Sequence, residues 1–146
     1  MIWSDPTDRS ARASNSLAST VDIAPTILQR AGVRPYNGMQ GKSFIAATRG
    51  KPGPRNDVMI EFNDSGKRMG FDSPARVRVL VTDKWHLAVY KGEPWGELYD
   101  RHADPNHLHN LWDSDEHATT RAELVMALTH HLIGQMDESP RSALLA

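Results

Sequence analysis

The stretch "ARVRVLVTDKWHLAVYK", residues 75–91, most constrains what this chain can fold into. Val77, Val79 and Val81 alternate with Arg76, Arg78 and Leu80. After Asp83-Lys84 come Trp85, Leu87 and Val89, alternating with His86, Ala88 and Tyr90. Successive side chains of a strand point to opposite faces, so this pattern on both sides of a tight turn predicts an antiparallel hairpin with one buried face. The segments "VMIEF" before it and "GELYD" after it read as two further short strands. The middle of the chain therefore predicts a small antiparallel sheet of about four strands.

Helices flank that sheet. Ser19 to Ala31 reads as a helix, with Asp22 as a plausible N-cap and Pro25 in the first turn, where a missing N–H costs little. Ala24, Ile27, Leu28 and Ala31 fall at i, i+3, i+4 and i+7, giving one apolar face. Gly32 is placed to end the helix. Phe44 to Ala47 suggests a short helical turn, and "RGKPGPRND" is a Pro/Gly-rich connector and the natural internal boundary. From about Ala118 to Met136, Val125, Leu128, Leu132 and Met136 share a face, with Leu124 beside them, and Pro140 should stop the helix. This helix is expected to lie across the sheet. The fold class is α+β.

Composition excludes several functions. Without cysteine there is no disulfide, thiolate zinc site or cysteine nucleophile. A net charge of −1 gives no general attraction to nucleic acid or to an anionic membrane, and neither is expected as a partner. No apolar run approaches the length of a membrane span. The start, "MIWSDPTDRSARAS", lacks the apolar core of a signal peptide, so the compartment stays open.

Three stretches invite a site. "NGMQGKS" looks like a phosphate-binding loop, but that loop needs four residues between its first glycine and its Gly-Lys-Ser. Tyr36 stands where that first glycine should be, and Gly38 comes too late. His102, His107 and His109 lie in one loop with Asp100 and Asp104, a set that could ligate zinc if something ordered it. A solvated turn built on Asp104-Pro105 explains the same residues, and no metal ligand is assigned. Glu61 and Asp64 could do acid/base work, but surface carboxylates are the simpler reading. No serine sits in a nucleophile-elbow pattern. From its residues, this is a small α+β chain with no self-contained active site.

The order of segments resembles a known family. "LASTVDIAPTILQRAGVRPYNGMQGKSF" resembles a stretch of sulfatases, and "RVRVLVTDKWHLAVYKGEPWGELYD", "ADP", "NLW" and "RAELVMALTHHL" resemble their C-terminal subdomain. The resemblance covers nearly the whole chain. It implies the alkaline phosphatase-like superfamily, with a large α/β catalytic domain followed by a four-stranded antiparallel sheet packed on a long helix. Residues 1–50 would be the remnant of the large domain and residues 51–146 the C-terminal subdomain.

The resemblance also implies chemistry for a full-length parent: sulfuric ester hydrolysis with a formylglycine, made from Cys or Ser in C/S-x-P-x-R, and an aspartate-rich calcium site. "DSPAR" has the Pro and Arg, but Asp72 stands at the nucleophile position and cannot be oxidised to an aldehyde. No catalytic or metal residue is carried over. The expected partner is the missing N-terminal catalytic half, acting on a sulfate ester. The long polar loop "NDSGKRMGFDSPA" offers candidate substrate contacts, because the family's C-terminal subdomain borders the active-site cleft. Lys67 and Arg68 would meet anionic groups, with Glu61, Asn63 and Arg76 at the loop ends. A stand-alone binding domain, or a fragment of a related phosphonate or phosphate-ester hydrolase, are the alternatives.

Overall fold

The computed structural model describes residues 4, 8, 10–36, 38–67 and 70–135. Two compact units divide the chain between Asn56 and Asp57.

The first unit carries helix α1, Ile23–Arg30, and the short helix α2, Ile45–Thr48. A 3-10 turn at Thr20–Asp22 leads into α1. Gly32 ends it with φ 71°, a left-handed conformation that lets the Val33 N–H reach back 2.9 Å to the Leu28 carbonyl. The apolar face expected of α1 is largely in solvent: Ile27 is 52% exposed. What α1 buries is its polar start. Asp22 and Thr26 are both 0% exposed. The Asp22 carboxylate accepts the N–H groups of Lys42 (2.7 Å) and Ser19 (2.9 Å), and Arg55 Nε (2.9 Å) and Nη2. Thr26 Oγ1 donates to the Asp22 carbonyl (2.5 Å) and accepts the Phe44 N–H (3.1 Å).

That network accounts for "NGMQGKS". The amide of Lys42 within it and that of Phe44 just after it are satisfied by the side chains of Asp22 and Thr26, not by a phosphate. At Gly41 a Cβ would lie 2.0 Å from the Val21 carbonyl oxygen and 2.9 Å from the Pro25 ring, so the glycine is there to let two segments of backbone touch.

The second unit is the sheet and the last helix. Strands β1 (Asp57–Asn63), β2 (Arg76–Thr82), β3 (Trp85–Tyr90) and β4 (Gly96–Asp100) form an antiparallel meander in the order β1-β2-β3-β4. Helix α3, Ala118–Gly134, packs on one face. Met136 and Pro140 lie outside the described residues. Among the described residues, no helix is long and apolar enough to cross a membrane.

The hairpin has the expected strands, but both its faces are apolar. A two-residue turn pairs Leu80 with Leu87 and Val79 with Ala88, so odd positions on β2 share a side with even positions on β3. Leu80, Leu87 and Leu98, all 0% exposed, line the helix side, with Leu124 and Leu128 above them. The valines face the other way, where Ala75, Val77 and Ala88 form a smaller core under Phe71, Val79 and Tyr90. The contact stripe of α3 keeps the expected Leu128 and the adjoining Leu124 but not Val125 or Leu132 of the expected row. Leu124 and Leu128 are buried, whereas Val125 (36%) and Leu132 (41%) stay exposed. On a helix the row i, i+4 that meets a flat sheet is narrow, and Leu124/Leu128 is the row that faces the three buried leucines.

The outer edge of β4 is closed by a side chain. Asn110 Oδ1 accepts the Leu98 N–H (3.0 Å) and its Nδ2 donates to the Gly96 carbonyl (2.9 Å). Leu111 N–H then pairs with the Leu98 carbonyl (2.8 Å). The "NLW" segment thus covers an edge that would otherwise present free backbone groups.

Candidate functional site

One end of the sheet gathers the end of β1, the start of β2, the end of β3 and the start of β4. Asn63 is paired with Arg76, and Glu61 with Arg78, so the four polar side chains form a block on one sheet face. The loop over residues 64–75 is closed at its base by the Asp64 N–H on the Ala75 carbonyl, 2.8 Å. Within it, Asp64 Oδ1 accepts the Ser65 (2.7 Å) and Gly66 (3.2 Å) N–H groups, so this carboxylate shapes its own loop.

The candidate residues separate into two groups. Glu61 and Asn63 are knitted together by a residue that sequence reasoning missed. Arg78 donates from Nη2 to Glu61 Oε1 (2.7 Å) and from Nη1 to Asn63 Oδ1 (3.1 Å). Asn63 Nδ2 also donates to Glu61 Oε1 (2.6 Å). The pair is half exposed, so its worth is about 0–1 kcal/mol; its role is to hold the strand ends in place. The signal for Arg78 was an opposite-charge cross-strand pair, readable once the register is known. Lys67 and Arg76 form the second group. Both are exposed, and neither charged end meets a carboxylate among the described residues. Arg68 lies outside the described residues.

The turn over residues 91–95 stands beside this loop. Its Lys91 N–H donates to the Arg76 carbonyl (2.9 Å), and Gly92 takes φ 83°. Phe71 of the loop is stacked on Trp95 of the turn (6.0 Å, 22°) and on Tyr90 (5.9 Å, 17°), and Tyr90 and Trp95 are 4.6 Å apart. Tyr90 donates its hydroxyl to Glu97 (2.6 Å). Burial, and then that carboxylate, push the phenol well above its ordinary value, so it stays a donor.

The histidine loop takes a different form from a ligand cage. Asp100 Oδ1 accepts the His102 and Ala103 N–H groups (2.9 and 3.0 Å), and Asp104 Oδ2 accepts that of His109 (2.8 Å). His107 is stacked on Tyr99 at 4.7 Å and meets His86 edge-on at 4.6 Å. The loop's carboxylates serve as turn caps. Among the described residues, no group of three or more His, Asp or Glu could hold a metal ion. The residues of this chain also offer no formylglycine precursor in "DSPAR", where Asp72 is an exposed loop residue.

An antiparallel meander backed by one helix and preceded by a helix-and-loop unit is the fold this chain shares with solved sulfatases. Residues 1–133 match the family described as N-sulphoglucosamine sulphohydrolase, C-terminal, and the chain belongs to it. It is 31% identical over 122 residues to the sulfatase YidJ of Escherichia coli K12, covering 83% of this chain and 23% of that protein. It is 26% identical over 141 residues to an N-acetylglucosamine-6-O-sulfatase of Bacteroides thetaiotaomicron, covering 90% of this chain and 24% of that one. The solved phosphonate monoester hydrolase of Silicibacter pomeroyi shares the fold, with a TM-score of 0.71 and 22% identity over 84% of this chain and 26% of its own. The chain thus spans about a quarter of the length of the relatives it matches, and it corresponds to the C-terminal portion of a sulfatase.

Proposed function

We propose that this chain serves as the substrate-selecting C-terminal part of a sulfatase whose nucleophile, formylglycine and calcium belong to an N-terminal catalytic part. The observation that carries this is Lys67 and Arg76 at one loop, both exposed and neither meeting a carboxylate among the described residues, in a chain that matches sulfatases over about a quarter of their length. A sulfate ester carries negative charge. A guanidinium held at the start of a strand can pair two of its oxygens, and an ammonium on the loop can meet a third. Glu61 and Asn63 act behind them, by fixing the strand ends through Arg78. Exposed apolar side chains on both units, among them Ile27, Phe62, Met126 and Ile133, suit a chain that packs against a larger partner.

The test is kinetic. In the reconstituted full-length parent, Lys67→Ala with Arg76→Ala should change the relative kcat/KM among sulfate esters by about tenfold or more, the change expected when one charge-assisted contact of about 1.4 kcal/mol or more is lost. An unchanged substrate ranking would make the loop a connector only. A parent that hydrolyses phosphonate monoesters in preference to sulfate esters is the second reading, favoured by the shared fold of the phosphonate monoester hydrolase. Side-by-side turnover of an aryl sulfate and an aryl phosphonate decides between them.

A further inference from the structure

At the end of the sheet away from the 64–75 loop, the segment after β4 makes an unusual choice of what to bury. It turns His107 inward and leaves the adjoining Leu108 73% exposed. Leucine is buried far more often than histidine, so the ordinary preference is inverted. His107 also takes φ 54°, the only positive φ outside glycine among the described residues. A side chain with a Cβ stays in that region only where its surroundings hold it. The holding is done by rings. His107 lies flat on Tyr99 (centres 4.7 Å apart, 3°) and meets His86 edge-on (4.6 Å, 67°). His86 in turn meets Tyr99 edge-on (6.0 Å, 70°). Leu87 faces α3, so its neighbour His86 and the paired Tyr99 carry this cluster on the opposite face.

Charge decides whether the cluster can stay closed. β2 brings the apolar Val81 to His86. β4 brings the Tyr99 phenol and, one pair along, Glu97. The turn adds Arg101, whose charge acts on His86, and Asp104, which interacts with His107. Among the described residues, the histidines ion-paired with carboxylates are His102 and His131, not these two. Burial first, and then the charge of His107, hold the His86 imidazole below its ordinary value; Arg101 adds to this and Glu97 opposes it. We propose that His86, Tyr99 and His107 form an acid-released clasp, which keeps residues 101–110 on the sheet while His86 is neutral and frees them when it takes up a proton. The freed segment runs straight into Asn110, which caps Leu98 and Gly96, and into Leu111, which pairs with Leu98. Release therefore loosens the strap over the β4 edge, where unpaired backbone would invite another strand. The clasp is at full strength above the ordinary histidine value of 6.5. It weakens as pH falls from there through the lowered value of the closed state.

The experiment uses the chain itself, between about pH 7.5 and about pH 5, the range in which histidine changes charge. The ring resonances of His86, His102, His107 and His109 are followed. So is hydrogen exchange at the His109 amide, bonded to Asp104, and at the Leu111 amide, bonded to Leu98. Exchange is expressed as protection relative to the unstructured chain. Asp104 is held below its ordinary value by the Leu108 and His109 amides, so its own cap does not titrate in this range. The expected result is a His86 that titrates below 6.5 and a protection at both amides that falls by about threefold or more toward acid. That protection should stay below that of the β2–β3 ladder throughout, the mark of a local opening. His86→Phe keeps an edge-on ring with no proton to take up, and should hold the protection level across the range. His107→Asn tolerates a positive φ but removes the ring. His86 should then titrate nearer the ordinary value, and both amides should be less protected at either pH. The clasp is overturned by a His86 that titrates at or above 6.5, by protection that does not change with pH, by protection equal to that of the ladder, or by the same fall in His86→Phe. Should His86→Phe not fold, His107→Asn decides: a His86 titration unchanged from the native chain overturns the clasp.

Discussion

Arg55→Gln isolates the pair that organises the first unit. Asp22 is 0% exposed, and the Arg55 side chain is 14% exposed. The guanidinium meets the carboxylate through Nε at 2.9 and 3.2 Å and through Nη2. Two hydrogen bonds to a charged group are worth about 3–6 kcal/mol together, and breaking a buried pair by removing one partner costs about 3–5 kcal/mol. The Lys42 and Ser19 amides remain on the carboxylate, which favours the lower half, about 3 kcal/mol. Against a total domain stability of about 5–15 kcal/mol, that is a large loss. The loss should carry a pH signature. Burial pushes the Asp22 carboxyl up, but the Arg55 guanidinium and the two amides outweigh it and hold the pKa below the ordinary 3.8. A depressed folded pKa contributes stability that is present above pH 3.8 and is lost as pH falls through the folded value. Without Arg55 burial takes over, the carboxyl protonates more readily, and the variant is relieved of a buried charge as the pH falls. The deficit of Arg55→Gln should therefore be largest at neutral pH and shrink toward pH 4. Urea unfolding at both pH values, with hydrogen exchange at the Lys42 and Phe44 amides, reads it. A deficit under about 1 kcal/mol, or one that does not change with pH, would refute the assignment of Asp22 as a buried, ionised keystone.

Other perturbations follow from the same geometry. Gly41→Ala should destabilise the first unit by about 1–3 kcal/mol or more, since its Cβ meets the Val21 carbonyl; a thermal midpoint equal to the parent's would contradict the close approach. Asn110→Ala leaves the buried Leu98 N–H without its acceptor and should cost about 1–3 kcal/mol, with faster exchange confined to β4. Ile27→Asp, at a residue 52% exposed, should lower self-association in sedimentation without disturbing the hairpin resonances; unfolding instead would mean the face is covered.

Much of this architecture was legible before any coordinates. Alternation either side of Asp83-Lys84 announced the hairpin, and Gly32 announced the end of α1. The exact faces were less accessible. Val77, Val79 and Val81 looked like the core row, yet the two-residue turn brings Leu80 opposite Leu87 and puts the helix on their side. The row of Leu80 also carries Arg76 and Arg78, so in sequence the valines are the more apolar row, and it is the partner helix over Leu80, Leu87 and Leu98 that selects the other side. The Asp22–Arg55 pair spans 33 residues, and nothing local in "STVD" or "GPRND" signals the other half. The candidate loop was legible because it is longer than a turn needs to be. Its aromatic neighbour, Trp95, was not, because it arrives from a different turn. Arg78 was hidden for a related reason: its link to Glu61 depends on strand register.

The role proposed for this chain is to select substrate and leave the chemistry to an N-terminal catalytic part. The most direct test is hydrolysis of a chromogenic aryl sulfate by the purified chain, alone and joined to the N-terminal part of its parent. No turnover above buffer is expected from the chain alone, because "DSPAR" places Asp72 where an oxidisable residue would have to stand, and turnover should arise once the two parts are joined. Sulfate release by the chain alone, persisting through further purification, would contradict it.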